Sequence, residues 1–258
     1  MEVFPSLPSA TAIALAGDMS TRGYGIAENC ISIEALTELR RFIHDSVNQT
    51  GGEYIAFGGP DAMRGTFLQD LAASANFQTL CRELYSSGMQ KPAPPVSFYQ
   101  VLRCLAGKTG EQHAYRFHYD SYVLTILVPI LIPAEGQPGH LIMFPNTRPV
   151  RRTYLGNLID KLFLDNRLTQ NRLRKGVISG RLKPERIKMQ PGNAYFFWGC
   201  RSIHTNEPCD PDKIRATALF HYVDPYADSW LRQTLLRLRN RKPQMSMAAP
   251  EARAPQPA

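Results

Sequence analysis

Two side chains that can bind a metal ion stand two residues apart in the stretch FHYDSYVLTILVPI, residues 117–130. His118 and Asp120 come just before an almost unbroken apolar run, which is typical of a buried strand. Residues i and i+2 of a strand point to the same face of a sheet, so the imidazole and the carboxylate are predicted to project together. They are two of the three ligand types of a facial triad, which holds non-haem Fe(II) and leaves coordination positions open.

A third ligand has to come from elsewhere in the chain, and His204 has the most suitable surroundings. It lies in WGCRSIHTNEP, after the apolar stretch AYFFW and a turn. It is therefore predicted at the mouth of a strand rather than in the middle of the core. Three other histidines compete for the role: His113, His140 and His221. The structural alternative is that His118 and His204 are core histidines satisfied by hydrogen bonds.

Arg215 opens another apolar stretch, RATALFHYV, eleven residues after His204. A guanidinium at the start of a buried strand is costly unless it meets an anion, and a carboxylate bound bidentately supplies one. A structural ion pair is the alternative. His221 shares the predicted strand face with Arg215 but lies about 20 Å further along at the rise of a strand. A five-carbon cosubstrate could not span this distance. The separation therefore predicts that His221 does not bind the metal whose cosubstrate Arg215 holds.

The surrounding elements are two helices followed by short strands with Gly and Pro turns. Helices are predicted over residues 32–48 and 67–87, and strands dominate from residue 96 onward. Pro129, inside the long apolar run, predicts an edge strand or a bulge. This order favours a mainly β fold, a double-stranded β-helix (jelly-roll or cupin-like) core with N-terminal supporting helices and a helical insert.

The sequence predicts a single domain over residues 1–244. Its parts are a helical N-terminal part at about residues 1–95, a jelly-roll core at about 96–224 and a basic helical insert at about 151–185. The low-complexity tail, residues 245–258, is predicted to be disordered.

The charge of the chain is concentrated in one segment. Between residues 151 and 188, eleven Lys or Arg stand against three Asp or Glu, a surplus equal to the net charge of +8 of the whole chain. Such a surface suits nucleic acid, an acidic protein or an anionic substrate, and it is also typical of a solvated helix face.

Composition excludes several classes of protein. No apolar run is long enough for a transmembrane helix, and the N-terminus has no basic region of the kind that begins a secretory signal. The five cysteines contain no C-x-x-C pair, which argues against a disulfide framework and a zinc ribbon. A cytoplasmic protein with reduced thiols is therefore expected.

The order and spacing of these motifs resemble the Fe(II)- and 2-oxoglutarate-dependent oxygenases across about residues 96–224: His118-x-Asp120, then His204, then Arg215-x-Thr217. A further segment is similar to the turn and strand that follow the His-x-Asp strand in several branches, including phytanoyl-CoA-type hydroxylases: Gly139-x-Leu141 before Pro145.

The resemblance implies a jelly-roll enzyme with Fe(II) held by His118, Asp120 and His204. It also implies that Arg215 pairs with the distal carboxylate of 2-oxoglutarate and that Thr217 assists. The reaction would use O2 to oxidise an unactivated C–H bond of a small molecule and release succinate and CO2. Halogenating members of the family lack the carboxylate ligand, so Asp120 favours hydroxylation.

Tyr99, on the strand before the metal strand, is a weaker candidate for binding the cosubstrate, and packing in the core is its alternative role. The rival to an enzyme is a cupin-like, metal-containing protein that binds a small molecule without turnover. The expected substrate is a small molecule, anionic or carried on an acidic protein or coenzyme A, with three candidate contacts: Arg148, Arg151 and Arg152. Nucleic acid ranks a distant second. The resemblance implies that a nucleic-acid demethylase would carry a second arginine shortly after the cosubstrate arginine, and RATALFHYVD has none. The sequence also shows no alternation of aromatic and basic residues suited to base stacking.

Overall fold

The computed structural model of the chain describes residues 2–59 and 63–240. Among these residues it has nine strands: β1 (Tyr24–Ala27), β2 (Ile55–Gly58), β3 (Tyr99–Leu105), β4 (Leu124–Leu131), β5 (Leu141–Phe144), β6 (Glu185–Ile187), β7 (Ala194–Trp198), β8 (Ile203–Asn206) and β9 (Arg215–Tyr222). It also has eight helices: α1 (Ser9–Thr21), α2 (Ile33–Gln49), α3 (Phe67–Ala73), α4 (Ala75–Met89), α5 (Gly107–Glu111), α6 (Tyr154–Asp165), α7 (Arg167–Ile178) and α8 (Trp230–Asn240).

The strands form a six-stranded major sheet, in the order β1-β7-β4-β9-β3-β2, and a three-stranded minor sheet, in the order β6-β5-β8. Every pairing is antiparallel. The chain divides into two compact units, Met1–Pro225 and a C-terminal unit from Tyr226 that contains α8. The predicted disordered tail, residues 245–258, lies outside the described residues.

The two sheets share a core between their inner faces. Alternate residues of the major sheet, such as Leu127 of β4 and Phe197 of β7, pack against alternate residues of the minor sheet, such as Leu141 and Met143 of β5. Because side chains alternate along a strand, the residues between them point to the opposite face. The mainly β fold predicted from the sequence is confirmed.

The outer face of the major sheet is covered by the N-terminal helices. In α2, Ser32 accepts a hydrogen bond from the backbone N–H of Ala35 and so caps the helix that the sequence predicts. Leu39 and Ile43 of this helix are buried in the same core as Ile126 of β4. The helices therefore cover one face of the major sheet, and its other face is directed toward the minor sheet.

The N-terminal part contains more structure than the sequence indicates. Helix α1 and strand β1 were not expected, and both β1 and β2 join the major sheet. The single helix predicted over residues 67–87 is two helices, α3 and α4, because Ser74 leaves the helical conformation and accepts a hydrogen bond from the N–H of Phe77 as the cap of α4.

Pro129 lies in a central strand, since β4 pairs with both β7 and β9. The register with β9 shifts between Pro129 and Leu131. Proline has no N–H to donate to a ladder, and a bulge accommodates that loss. Of the two predicted solutions, edge or bulge, the structure has the bulge.

The basic insert folds as α6 and α7 between β5 and β6. Helix α6 turns polar residues toward the protein: Asn157 is buried, and Asp160 binds Arg148 at 2.6 Å. Four of its large apolar residues are exposed instead: Leu155, Ile159, Leu162 and Phe163. Leu164 is the exception and is buried against the minor sheet side of the core. Ion pairing and this one buried leucine therefore anchor the helix.

All five cysteines are buried and free. Over the part of the chain that the structure describes, no helix combines the length and the apolarity needed to cross a membrane.

Candidate metal centre and anion site

His118 and His204 are brought together by a short backbone bridge at the edge of the minor sheet. The N–H of each residue donates to the carbonyl of the other at 3.1 Å. Directly opposed residues of an antiparallel pair project to the same side. The two imidazole rings therefore face each other, with centroids 4.4 Å apart.

Asp120 completes the group. Its backbone N–H donates to the carbonyl of Gly199 at 2.9 Å, which fixes the turn before β4. Its Oδ1 lies 3.6 Å from Nε2 of His118, and its Oδ2 lies 3.4 Å from Nε2 of His204. One ligand atom from each residue lies within 4.8 Å of the others. Bonds of about 2.0–2.2 Å from these atoms would converge on a single ion.

The two histidines present the same nitrogen to the centre. Nδ1 of His118 lies 2.9 Å from the carbonyl of Arg116, and Nδ1 of His204 lies 3.0 Å from the carbonyl of Ser202. A carbonyl only accepts, so each Nδ1 carries the donated proton and each Nε2 keeps its lone pair for a metal. The residues present therefore fit a metal bound by two imidazoles and one carboxylate.

The charges of the group are coupled. Burial opposes ionisation of Asp120, but His204 and His221 outweigh it and hold the pKa of Asp120 well below its usual value. Burial and the neighbouring His204 lower the pKa of His118. Burial also acts to lower the pKa of His204, but the Asp120 carboxylate outweighs it and raises this pKa. At neutral pH the centre thus offers an anionic oxygen and a neutral His118.

A second set of residues holds the Asp120 carboxylate in place. The hydroxyl of Thr125 donates to Oδ2 of Asp120 at 2.5 Å and lies 3.2 Å from Nδ1 of His221. Gly199 leaves the room that this arrangement needs, because a Cβ there would stand 2.6 Å from Oδ2 of Asp120. Supporting contacts of this kind orient metal ligands and tune them.

His221, expected to be too far from Arg215 to share a metal with it, lies next to the centre without joining it. Its Nδ1 lies 3.9 Å from Oδ2 of Asp120, although His221 is not one of the three residues whose ligand atoms converge. The strand rise separates the backbones of Arg215 and His221, but both side chains project from β9 between the sheets, and their length brings His221 close to Asp120.

Arg215 and Thr217 form an anion site beside the metal centre. Both are buried, and within the described residues Nε of Arg215 and the hydroxyl of Thr217 have no hydrogen-bond partner. They line a narrow cavity together with His118 and His204. Burial and the nearby Arg103 lower the pKa of Arg215 to about 10, so its guanidinium stays charged at neutral pH.

An unpaired buried guanidinium is costly, and a bound carboxylate would satisfy it. Gly139 makes room for this side chain: it has φ +69°, and a Cβ would stand 2.9 Å from Cδ of Arg215. The left-handed backbone and the close approach both favour glycine here. The guanidinium of Arg215 and the hydroxyl of Thr217 thus suit an anionic group beside the metal centre.

The structure does not bring the other predicted residues to these positions. Tyr99 pairs with His221 in the register of β3 and β9, at the opposite end of the strands from Arg215, and its side chain is 45% exposed. Arg148 and Arg151 both bind Asp160 at 2.6 Å. Arg152 is exposed. The first two arginines therefore anchor α6.

Sequence reasoning missed four residues near the site. Arg103 lies opposite Thr217 and lines the same cavity as Arg215. Lys161 of α6 donates to the hydroxyl of Ser121 at 2.9 Å. The other two are the supports of the metal ligand: Thr125 and Gly199. An arginine at an inward position of the apolar strand YQVLRCL was a signal that could have revealed Arg103.

Comparisons with known proteins find similarity in structure. No family model matches the sequence, and no curated protein matches it. A prolyl hydroxylase from Trichoplax adhaerens, in complex with a hypoxia inducible factor oxygen degradation domain peptide fragment, is 14% identical with a TM-score of 0.57, over 86% of this chain and 93% of that chain. A Pseudomonas putida prolyl-4-hydroxylase is 10% identical with a TM-score of 0.52, and the likeness covers 82% of this chain and 98% of that chain.

A third structure is the non-haem α-ketoglutarate-dependent epimerase SnoN from nogalamycin biosynthesis. It is 18% identical with a TM-score of 0.54, and the likeness covers 84% of each chain. The likeness confirms, at the level of the fold, the resemblance that the sequence motifs indicate: the chain has the jelly-roll fold of non-haem iron, 2-oxoglutarate-dependent oxygenases.

Proposed function

We propose that this protein is an Fe(II)- and 2-oxoglutarate-dependent oxygenase that oxidises a C–H bond of a small molecule. The observation that carries the proposal is a convergent His-Asp-His group beside the buried Arg215, whose Nε has no hydrogen-bond partner among the described residues. Each feature alone could be structural. Together, on the inner faces of the two sheets, they supply what a redox metal and an anionic cosubstrate require.

The metal would be held by His118, Asp120 and His204. When bound, iron supplies the redox chemistry by which O2 and 2-oxoglutarate are converted with the substrate to product, succinate and CO2. The protein's own part is to keep the ligands in place. The carbonyls of Arg116 and Ser202 fix the histidine tautomers, and Thr125 holds the carboxylate.

The cosubstrate would be held by Arg215 and Thr217, through the carboxylate at its distal end. A guanidinium can bind a carboxylate with two parallel hydrogen bonds, and the threonine hydroxyl can donate a third. The apolar side chains of Leu127, Leu141 and Leu219 also line this cavity. They exclude water from around the ion pair and so strengthen it.

We propose hydroxylation as the outcome. Hydroxylation consumes one O2 and one 2-oxoglutarate and places one oxygen atom in the product and the other in succinate. Of the three solved structures described above, two are named prolyl hydroxylases and one is named an epimerase, so the fold admits more than one oxidation. The presence of Asp120 supports hydroxylation over halogenation, because the carboxylate occupies the position that a halide would need.

The first test is succinate formation by the iron-loaded protein. Fe(II), O2 and 2-oxoglutarate are added without a further substrate, and succinate is followed by NMR. We expect slow succinate formation that is lost in His204→Ala and reduced in Arg215→Met. An Arg172→Gln variant is the matched control, because Arg172 is exposed on α7. With a substrate in hand, ¹⁸O2 should label the product.

The same test separates an enzyme from a cupin-like binding protein. Iron binding by the His118 and His204 centre, with no succinate formed alone or with a panel of small polar acids, would favour binding without turnover. Undiminished iron affinity in His204→Ala would instead reject the metal centre itself.

A further inference from the structure

A second cavity opens on the outer side of the metal centre. It has a volume of 330 Å³ and is lined by nine residues, each with a polar or charged side chain. His118 is one of them, and 37% of its side chain is exposed. Ligand cavities for small molecules begin at about 300 Å³. The cavity therefore has room for a small polar compound in contact with a metal ligand.

The charges in this cavity are unbalanced. Three cationic residues line it, Arg103, Arg116 and Lys161, against a single carboxylate, Asp165. None of the three forms an ion pair among the described residues. The lysines and arginines that do are others: Arg22, Arg148, Arg151, Arg186 and Lys213. Lys161 donates to a neutral hydroxyl, that of Ser121.

Cations gathered in a concave site repel each other unless an anion joins them. Arg103 is half-buried and Lys161 comes from the inner side of α6, so two of the three charges are partly removed from water. Focusing of the field in a cleft raises the local concentration of an oppositely charged ligand. Charge-assisted hydrogen bonds to a carboxylate or phosphate are also among the strongest available here.

We propose that the substrate is a small anion, whose carboxylate or phosphate group binds among Arg103, Arg116 and Lys161 beside His118. This inference rests on the proposed oxygenase function and names the substrate class for the same centre. The polar lining disfavours lipids and other apolar substrates, which would leave these charges desolvated and unpaired.

The substrate anion is distinct from the cosubstrate anion. The cosubstrate would take Arg215 and Thr217 on the inner side, whereas Arg116 and Lys161 line only the outer cavity. Arg103 lines both cavities and stands between them. Variants of Arg116 and Lys161 therefore probe the substrate site alone, and a variant of Arg103 would disturb both.

The test uses ligand-observed NMR with the metal-free protein and paired probes. Benzoate is compared with benzamide, which is neutral and of similar shape, and glycerol 3-phosphate is compared with glycerol, which lacks the phosphate. We expect the anions to bind better than their neutral partners. The relative strength of the two anions distinguishes a carboxylate site from a phosphate site.

Variants then locate the binding. Arg116→Gln and Lys161→Gln should each weaken binding of the preferred anion by about tenfold or more, as expected for one lost charge-assisted hydrogen bond. Arg172→Gln, the same change on the exposed face of α7, should leave binding unchanged. Thermal unfolding of each variant shows that it is folded. Arg215→Met should keep the anion preference, because its side chain does not line the outer cavity.

Two results would overturn the proposal: equal binding of anionic and neutral probes, or anion binding that is unchanged in both Arg116→Gln and Lys161→Gln. Neither touches the proposed function, which is read from iron binding and succinate formation. Conversely, loss of anion binding in the two variants together with no 2-oxoglutarate turnover would support an anion site in a protein that is not an oxygenase.

Discussion

Replacing Gly199 with alanine should displace the Asp120 carboxylate from its position between His118 and His204. Gly199 is buried beside this carboxylate, and its backbone carbonyl accepts the hydrogen bond from the N–H of Asp120. The substitution adds one methyl group and leaves the three ligands themselves unchanged. Any loss of metal binding would therefore come from a displaced ligand and not from a missing one.

The size of the effect follows from the distances. A Cβ at position 199 would lie 2.6 Å from Oδ2 and 2.9 Å from Cβ of Asp120, and 2.3 Å from Oγ1 of Thr125. Unstrained contacts between such atoms are about 3.5 Å, so the carboxylate must move by roughly 1 Å. Metal ligands tolerate only about 0.2 Å. We expect metal affinity to fall about 10- to 100-fold, the range seen when the supports of metal ligands are lost.

Anaerobic Fe(II) titration followed by calorimetry would measure this, with thermal unfolding to confirm that the variant is folded. Gly17→Ala is the matched control, because a Cβ at position 17 of α1 meets no atom within 4 Å. It should bind iron like the parent protein and gain about 1 kcal/mol of stability from helix propensity. A folded Gly199→Ala protein with the parent's iron affinity would refute the assigned role of Asp120.

Three further predictions test other parts of the account. Arg215→Met should weaken 2-oxoglutarate binding at least about tenfold. It should also raise the melting temperature of the ligand-free protein, because it removes a buried charge, and a lower melting temperature would contradict this. Asp160→Asn should lower the free energy of unfolding by roughly 2–4 kcal/mol in denaturant titrations, since the buried Arg148 loses its carboxylate partner. An unchanged free energy of unfolding would mean that other contacts hold α6. Metal affinity should fall about tenfold per pH unit as the pH drops below the raised pKa of His204, because Asp120 stabilises the proton that the metal must displace. Iron titrations from pH 6 to 8 would measure this, and an affinity that does not change with pH would contradict it.

The residues of the candidate site could be predicted where strand alternation alone decides their direction. His118 and Asp120 share a face because they stand two apart, and Arg215 opens β9 as its sequence indicates. The bridge that sets His118 against His204 joins residues 86 positions apart, so the pairing itself is a tertiary contact. The position of His204 after an apolar strand and the resemblance to known oxygenases both indicated the pair, and the backbone bridge is visible only in the structure.

What the sequence could not reveal depends on packing between distant segments. Arg103 enters the site because β3 pairs with β9, and Lys161 enters it because Asp160, its neighbour in α6, binds Arg148 and so turns the polar side of the helix inward. The amphipathic pattern of α6 predicts the opposite orientation, with the apolar side inward. The same reversal explains why Arg148, expected to contact the substrate, anchors the helix.

The N-terminal segment shows a similar limit. Helix α1 has buried residues that are partly small, Ala12 and Ala16 beside Leu15 and Met19, so its apolar periodicity is weak in sequence. The neighbouring strand β1 is four residues long and gains its place by pairing with β7. Short elements of this kind are specified by their partners more than by their own propensities.

The central claim is that one site binds both iron and 2-oxoglutarate, and absorbance spectroscopy under anaerobic conditions tests it most directly. Addition of 2-oxoglutarate to the Fe(II)-loaded protein should produce a weak visible charge-transfer band. The band should be absent in His204→Ala and should require a higher 2-oxoglutarate concentration in Arg215→Met. An iron-loaded protein that shows no band at any 2-oxoglutarate concentration, or a band undiminished in His204→Ala, would contradict the account.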